Sequence, residues 1–253
     1  MKASLKGLRV LNTRPKDRAR ALTDAIVARG GVSVEFPALS ILPTPLEWLD
    51  TLPPAHEVQI ALFTSANAVL WAMDALKRHN WPLPEVIAIG SATRHALLDA
   101  GVKNVICPDI PDSEHVLELP ELQAISGQRI VLFRGEGGRR LLADTLKARG
   151  AHLHEAAVYR RELPQADNGE TAKIWQECAV DIILCTSTEA LHNLFTLFGK
   201  EALSWLCATP WLTAGERVAH EARARGVQNV FSAPADALLQ ALVNYHQGMG
   251  HAE

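Results

Sequence analysis

Small hydroxyl residues, glycines and arginines recur at the ends of short apolar runs along this chain. Thr64–Ser65 closes the run ALF, and Thr186–Ser187 closes ILC. Thr13–Arg14 closes RVLN, and Arg134–Gly135 closes RIVLF. Gly90–Ser91 and Ala214–Gly215 end two further runs. A helical pattern follows each of them. Small residues there expose backbone N–H groups, and the helix start adds partial positive charge. The chemistry on offer is the grip of an anion, above all carboxylate or phosphate. A Ser or Thr before a helix also reads as a plain N-cap. So many on the same edge of two sheets amount to more than capping, without naming the ligand.

Arg139 and Arg140 follow the glycines of Gly135–Gly138 and suit a bidentate hold on an anion; a solvated helix start is the other reading. Tyr159 lies on an apolar strand that leads to Pro164, and reads either as a functional phenol or as an aromatic packing a hinge. Familiar catalytic patterns are missing. GlyGluGlyGly is neither a Walker loop nor a GxGxxG fingerprint, and no GxSxG elbow occurs. His152 and His154 share a strand face without a third ligand, so no metal is expected. Cys107, Cys178, Cys185 and Cys207 form no CxxC pair and read as small buried hydrophobes in a reducing compartment.

The elements that must position these residues alternate strand and helix. Strands are expected at 9–13, 32–36, 60–64, 86–89, 105–107, 130–133, 154–159, 182–185, 211–213 and 230–232. Most are Val- and Ile-rich, as parallel strands covered on both faces are. Helices are expected at 18–29, 66–78, 93–100, 139–149, 188–198 and 217–225. This is βαβ alternation with parallel sheets, and ligands bind at the carboxyl ends of such strands.

The pattern also repeats. LRVLNTRP (8–15) echoes QRIVLFRG (128–135), ALFTSANAV (61–69) echoes ILCTSTEAL (183–191), and GVKNV (101–105) echoes GVQNV (226–230). The echoes lie roughly 120 residues apart, a domain-sized period. Pro43 and Pro45 follow the first arginine unit, and Pro164 sits at the matching place after the second. Proline marks a connector rather than a central strand. The reading is therefore nested. One α/β lobe, residues 46–158, is inserted into another made of 1–41 and 165–253, with 42–45 and 159–164 as linker strands. A sequential cut at Pro120–Gly127 is the alternative. Two similar lobes of this kind usually hold a ligand between them.

The 253 residues carry a formal net charge of −3, with no basic block for nucleic acid. No apolar run approaches the ~20 residues of a membrane span, and the N-terminus has no signal-peptide core. A cytoplasmic protein without membrane contact is expected.

Several segments together carry a resemblance: VLNTRP (10–15), FTSANAV (63–69), AIGSAT (88–93), LFRGEGGR with LLADTLKARGA (132–151), VYRR (158–161) and CTSTEAL (185–191). In this order and spacing the chain resembles the uroporphyrinogen-III synthase family along nearly its whole length. The resemblance implies two flavodoxin-like lobes with parallel sheets, one of them discontinuous, joined by a two-stranded linker. It implies ring closure of the linear tetrapyrrole hydroxymethylbilane, with inversion of ring D and no cofactor. It makes Tyr159 the leading proton or hydrogen-bond donor to the departing hydroxyl, and places Thr64, Ser65 and Thr93 along the cleft. Asn67 stands where some relatives carry a basic residue. Gly215–Val218 lacks the paired threonines of some relatives, so Arg217 is expected to substitute there. A monomer in transient contact with the preceding pathway enzyme is expected. Such a substrate is rich in carboxylates and closes unaided to the wrong isomer, so catalysis would lie in orientation and charge placement. Two rival readings remain: a non-enzymatic two-lobed binding protein for a small polyanion, and a nucleotide-dependent transferase, against which the missing phosphate loop counts.

Overall fold

A computed structural model describes residues 4–165 and 167–248; residues 1–3, Ala166 and 249–253, within the expected first lobe, lie outside the described residues. The chain divides into two compact units, Met1–Ser40 with Glu162–Glu253, and Ile41–Arg161. The expected linker residues 42–45 and 159–161 pack with the second unit, and 162–164 with the first. The run Pro120–Gly127 lies inside the second unit, where Leu122 and Ile125 are fully buried.

The first unit holds a five-stranded sheet in the order β2-β1-β8-β9-β10. The strands are β1 (Arg9–Asn12), β2 (Val32–Glu35), β8 (Ile182–Cys185), β9 (Trp211–Ala214) and β10 (Val230–Ala233). Every neighbouring pair is parallel. The helices are α1 (Lys16–Val27), α7 (Asn168–Gln176), α8 (Thr188–Phe198), α9 (Leu203–Ala208), α10 (Glu216–Ala224) and α11 (Leu238–His246). They cover both faces, so the sheet is buried from either side, by a cluster around Trp211, Ile183 and Leu191 and by one around Val10, Ile182 and Leu242.

The second unit has the sheet order β3-β7-β6-β4-β5. Its strands are β3 (Ser40–Pro43), β4 (Ile60–Phe63), β5 (Glu85–Ala88), β6 (Arg129–Gly135) and β7 (His152–Glu162). β5, β4, β6 and β7 are parallel neighbours. The helices are α2 (Glu47–Asp50), α3 (Ala66–Arg78), α4 (Ser91–Asp99), α5 (Ser113–Glu118) and α6 (Leu141–Ala148). Phe63 and Phe133 stack at 4.6 Å between ring centroids, and Trp48 and Trp81 meet Phe133 edge-on. This packed aromatic layer lies one residue before Thr64 and Arg134 along the chain.

The sequence echoes occupy the same sheet positions in both units. The strand of the arginine unit (β1, β6) neighbours the strand of the ThrSer unit (β8, β4), and the glycine-ended strand (β9, β5) follows. The chain order differs, and the second unit carries β3 at one edge where the first unit carries β10 at the other. The first unit runs arginine strand before ThrSer strand, and the second runs the reverse, so the two are circular permutants of one flavodoxin-like pattern. Gly30 and Gly150 end the equivalent helices α1 and α6 at φ of +83° and +85°, a left-handed conformation that glycine adopts without strain.

Two expectations are corrected, and one strand is given its place in a sheet. The segment 105–107 makes a single bridge, Ile106 to Ile87, instead of a strand; Pro108 follows it and offers no N–H to extend the ladder. Pro43 lies within strand β3, at the sheet edge, where a missing N–H costs nothing. Of the cysteines only Cys185 is buried, and Cys178 is exposed. Burial pushes the Cys185 thiol up to about 12, which keeps it protonated and inert.

Candidate active site

Tyr159 stands on β7 with its ring turned into the second unit's carboxyl edge, 3% exposed. A bulge puts it there. β7 pairs with β6 in simple register up to Ala157 opposite Arg134, and the next pair is Tyr159 opposite Gly135. One extra residue, Val158, thus re-aims the strand. Thr44 holds the bulge from the far side, donating its N–H to the Val158 carbonyl at 3.2 Å and its hydroxyl to the Ala157 carbonyl at 2.6 Å. The Tyr159 carbonyl accepts the Glu136 N–H at 2.8 Å.

Ser65 caps α3, its Oγ accepting the Ala68 N–H at 3.0 Å. The same hydroxyl donates to Tyr159 Oη at 3.2 Å. Thr64 bonds across to β6, with N–H and hydroxyl both donating to the Phe133 carbonyl at 3.1 and 3.3 Å. A cavity of about 200 Å³ opens among Thr64, Ser65, Arg134, Gly135, Arg139 and Tyr159. Ser113, Glu136 and Arg161 join its wall.

The arginines are not equivalent. Arg134 is spent inside the unit. It pairs with Glu155 at 2.9 Å and donates to the carbonyls of Gly135 and Gly137, so it shapes the glycine loop. Glu155 also meets Lys147 at 2.7 Å. Burial raises the Glu155 carboxyl, but Lys147 and Arg134 outweigh it and hold it below the usual range. Arg139 makes a bidentate pair with Glu114 at 2.5 and 3.1 Å, an exposed and screened contact at the cavity rim. Arg161 lies over the Tyr159 ring, its guanidinium carbon 5.8 Å from the centroid. Sequence reasoning missed Arg161. Its signal was VYRR, where residues 159 and 161 fall on the same side of a strand.

The remaining residues of the second unit stand apart from this cavity. Asn67 and Thr93 are buried in α3 and α4. Gly90 precedes α4 and is covered by Pro111, which a side chain at residue 90 would strike. In the first unit Thr13 is wholly buried, its hydroxyl donated to the Leu184 carbonyl at 2.7 Å, a bond that ties β1 to β8. The Arg14 N–H donates to Asn12 Oδ1 at 3.3 Å. Ser187 caps α8 through the Ala190 N–H at 3.1 Å, with Thr186 half-buried beside it. Gly215 precedes α10 at φ +84°, and Arg217 is exposed on its first turn.

The family model for Uroporphyrinogen-III synthase HemD matches residues 20–243. Curated relatives agree. The chain is 37% identical over 246 residues to "Uroporphyrinogen-III synthase" of Salmonella typhimurium, covering 92% of this chain and 99% of the relative. It is 35% identical over 243 residues to the protein of the same name from Escherichia coli, with the same coverage of both. The chain belongs to the uroporphyrinogen-III synthase family. Solved uroporphyrinogen III synthases share the fold. One from Thermus thermophilus superposes with a TM-score of 0.65 over 97% of this chain and 100% of that one, at 20% identity. One from Helicobacter pylori gives 0.62 over 95% and 100%, at 15% identity. No helix among the described residues is long and apolar enough to cross a membrane.

Proposed function

We propose that this chain is a cyclising hydro-lyase that converts hydroxymethylbilane to uroporphyrinogen III in haem biosynthesis. Membership of the family over residues 20–243 carries this reading. The Tyr159 cavity supplies the chemistry. Tyr159 gives its proton to the departing hydroxyl, which leaves as water. The substituted α-carbon of ring D attacks the carbon so exposed, and its bond to the methylene shared with ring C then breaks. The freed methylene is attacked by the other, unsubstituted α-carbon of ring D, which closes the macrocycle with ring D inverted. The proton that ring D then releases returns to the phenolate, so the enzyme ends as it began. Since the bilane ionises readily by itself, orientation supplies most of the selectivity, and acid catalysis adds a smaller share.

Backbone donors at the helix starts after Ser65 and Ser187 suit the bilane's carboxylates. The test is incubation with freshly made bilane and identification of the porphyrinogen isomer. Predominant isomer III supports the reading. The spontaneous isomer at the uncatalysed rate, with bilane still bound, would favour a binding protein for a polyanion.

A further inference from the structure

Ser65 does more than cap a helix. Its Oγ accepts the Ala68 N–H at 3.0 Å, so its own proton is free for another acceptor. That acceptor is Tyr159 Oη, at 3.2 Å and 94 residues away in sequence. A phenol keeps its O–H near the ring plane, with two in-plane directions. The Ser65 proton occupies the direction that faces α3. The Tyr159 proton must then take the other. Among the described residues no protein group accepts it. Gly135 keeps the space beside the oxygen empty, since a side-chain carbon there would lie 3.0 Å from Oη. The internal repeat gives a control. Ser187 caps α8 in the same manner at 3.1 Å, with no phenol as partner. Capping alone therefore needs no tyrosine.

We infer that Ser65 is a positioning residue that fixes the direction in which Tyr159 presents its proton to the cavity. This rests on the reading of Tyr159 as the proton donor. Loss of the Ser65 hydroxyl leaves the phenol free to turn its proton toward the vacated side, and the productive fraction falls.

The experiment is a double-mutant cycle on the full chain: Ser65→Gly, Ser65→Thr, Tyr159→Phe and Ser65→Gly/Tyr159→Phe, with kcat, KM and melting temperature for each. Glycine caps nearly as well as serine, so the fold is spared. Ser65→Gly should lower kcat about five- to tenfold with KM and melting temperature nearly unchanged, as expected for one lost hydrogen bond. Ser65→Thr should recover most of the rate. In the Tyr159→Phe background Ser65→Gly should cost nothing more. An equal loss in both backgrounds, or full activity of Ser65→Gly, overturns the inference and leaves Tyr159 as donor. A fully active Tyr159→Phe variant overturns the donor reading and the inference together.

Discussion

Gly135 and Tyr159 are fitted to each other. A side-chain carbon at residue 135 would lie 2.6 Å from Cζ and 2.7 Å from Cε2 of the Tyr159 ring. The constraint is steric, because Gly135 is not among the residues with positive φ. Gly135→Ala should therefore push the ring out of its seat and lower kcat about tenfold or more. Overpacking of this kind costs about 1–3 kcal/mol, so the melting temperature should also drop by several degrees. Steady-state kinetics beside a thermal melt checks both. A fully active alanine variant would mean that the loop yields and the ring keeps its place.

Tyr159→Phe should keep the fold and lose activity. Removing one positioned acid typically costs ~10²–10⁴-fold, and a substrate that ionises readily points to the low end. Tyr159→Ala should add a loss of stability of about 3–5 kcal/mol from emptied core volume, since the ring is buried against the second unit's apolar cluster. Comparing turnover and melting temperature for both variants separates the roles. A Phe variant that turns over normally while the Ala variant melts early would make Tyr159 a packing residue.

Glu155→Gln tests the clamp on the glycine loop. The carboxyl is held low, so its contribution is complete above the unfolded value of about 4.3 and disappears as pH falls through the lower folded value. The variant should be less stable than the parent by about 1–3 kcal/mol at pH 7, and the gap should narrow as pH falls below the unfolded value. Activity should fall through a raised KM, because the loop lines the cavity. A stability gap that is the same at every pH would show that Glu155 acts by packing.

Asp181 anchors β1 to β8 in the first unit, receiving Arg9 Nη2 at 2.6 Å, Nε at 3.1 Å and the Arg9 N–H at 2.8 Å. The hydrogen bond from Arg9 is the main reason its carboxyl sits low. The pair is over a third exposed, so solvent screens it. Asp181→Asn should lower the melting temperature by about 2–4 °C and leave kcat unchanged. A kinetic defect in a variant that melts normally would contradict a purely structural role.

The segment Ile41–Arg161 carries its own sheet and its own core on both faces. Expressed alone it should unfold in one cooperative transition. Circular dichroism against denaturant checks this. A non-cooperative, featureless unfolding curve would show that the unit depends on the flanking chain.

Where the sequence was legible, local signals agreed. α3 and α8 occupy the expected spans 66–78 and 188–198, because Ser65 and Ser187 give each a start and the apolar stripe gives each a face. β3 was expected as a linker strand at 42–45, because Pro43 and Pro45 spoke for a connector; it lies at Ser40–Pro43, and an edge strand tolerates Pro43. The short helices α2, α5 and α9 hold four to six residues, too few for a periodicity to register. At the site, residue types were readable but their partners were not. Arg134 looked like a ligand for anions, and only the fold reveals that Glu155 and two carbonyls already occupy it. Thr13 looked like a cleft hydroxyl, and only the β1–β8 pairing turns it inward. The Val158 bulge that aims Tyr159 has no sequence signature at all.

The nesting also sets an order of assembly at the ribosome. β1 and β2 emerge first, yet two strands alone are marginal in water and must wait for β8, some 150 residues later. The inserted unit is complete once Arg161 has cleared the exit tunnel, and domains generally fold as units during synthesis. So the half that carries Tyr159 is finished while the half that encloses it in sequence is still a nascent tail. For that interval the exposed apolar faces of β1, β2 and α1 are the stretch a chaperone would have to shield. Premature termination anywhere between Glu162 and β8 should therefore leave one sound unit attached to one sticky one.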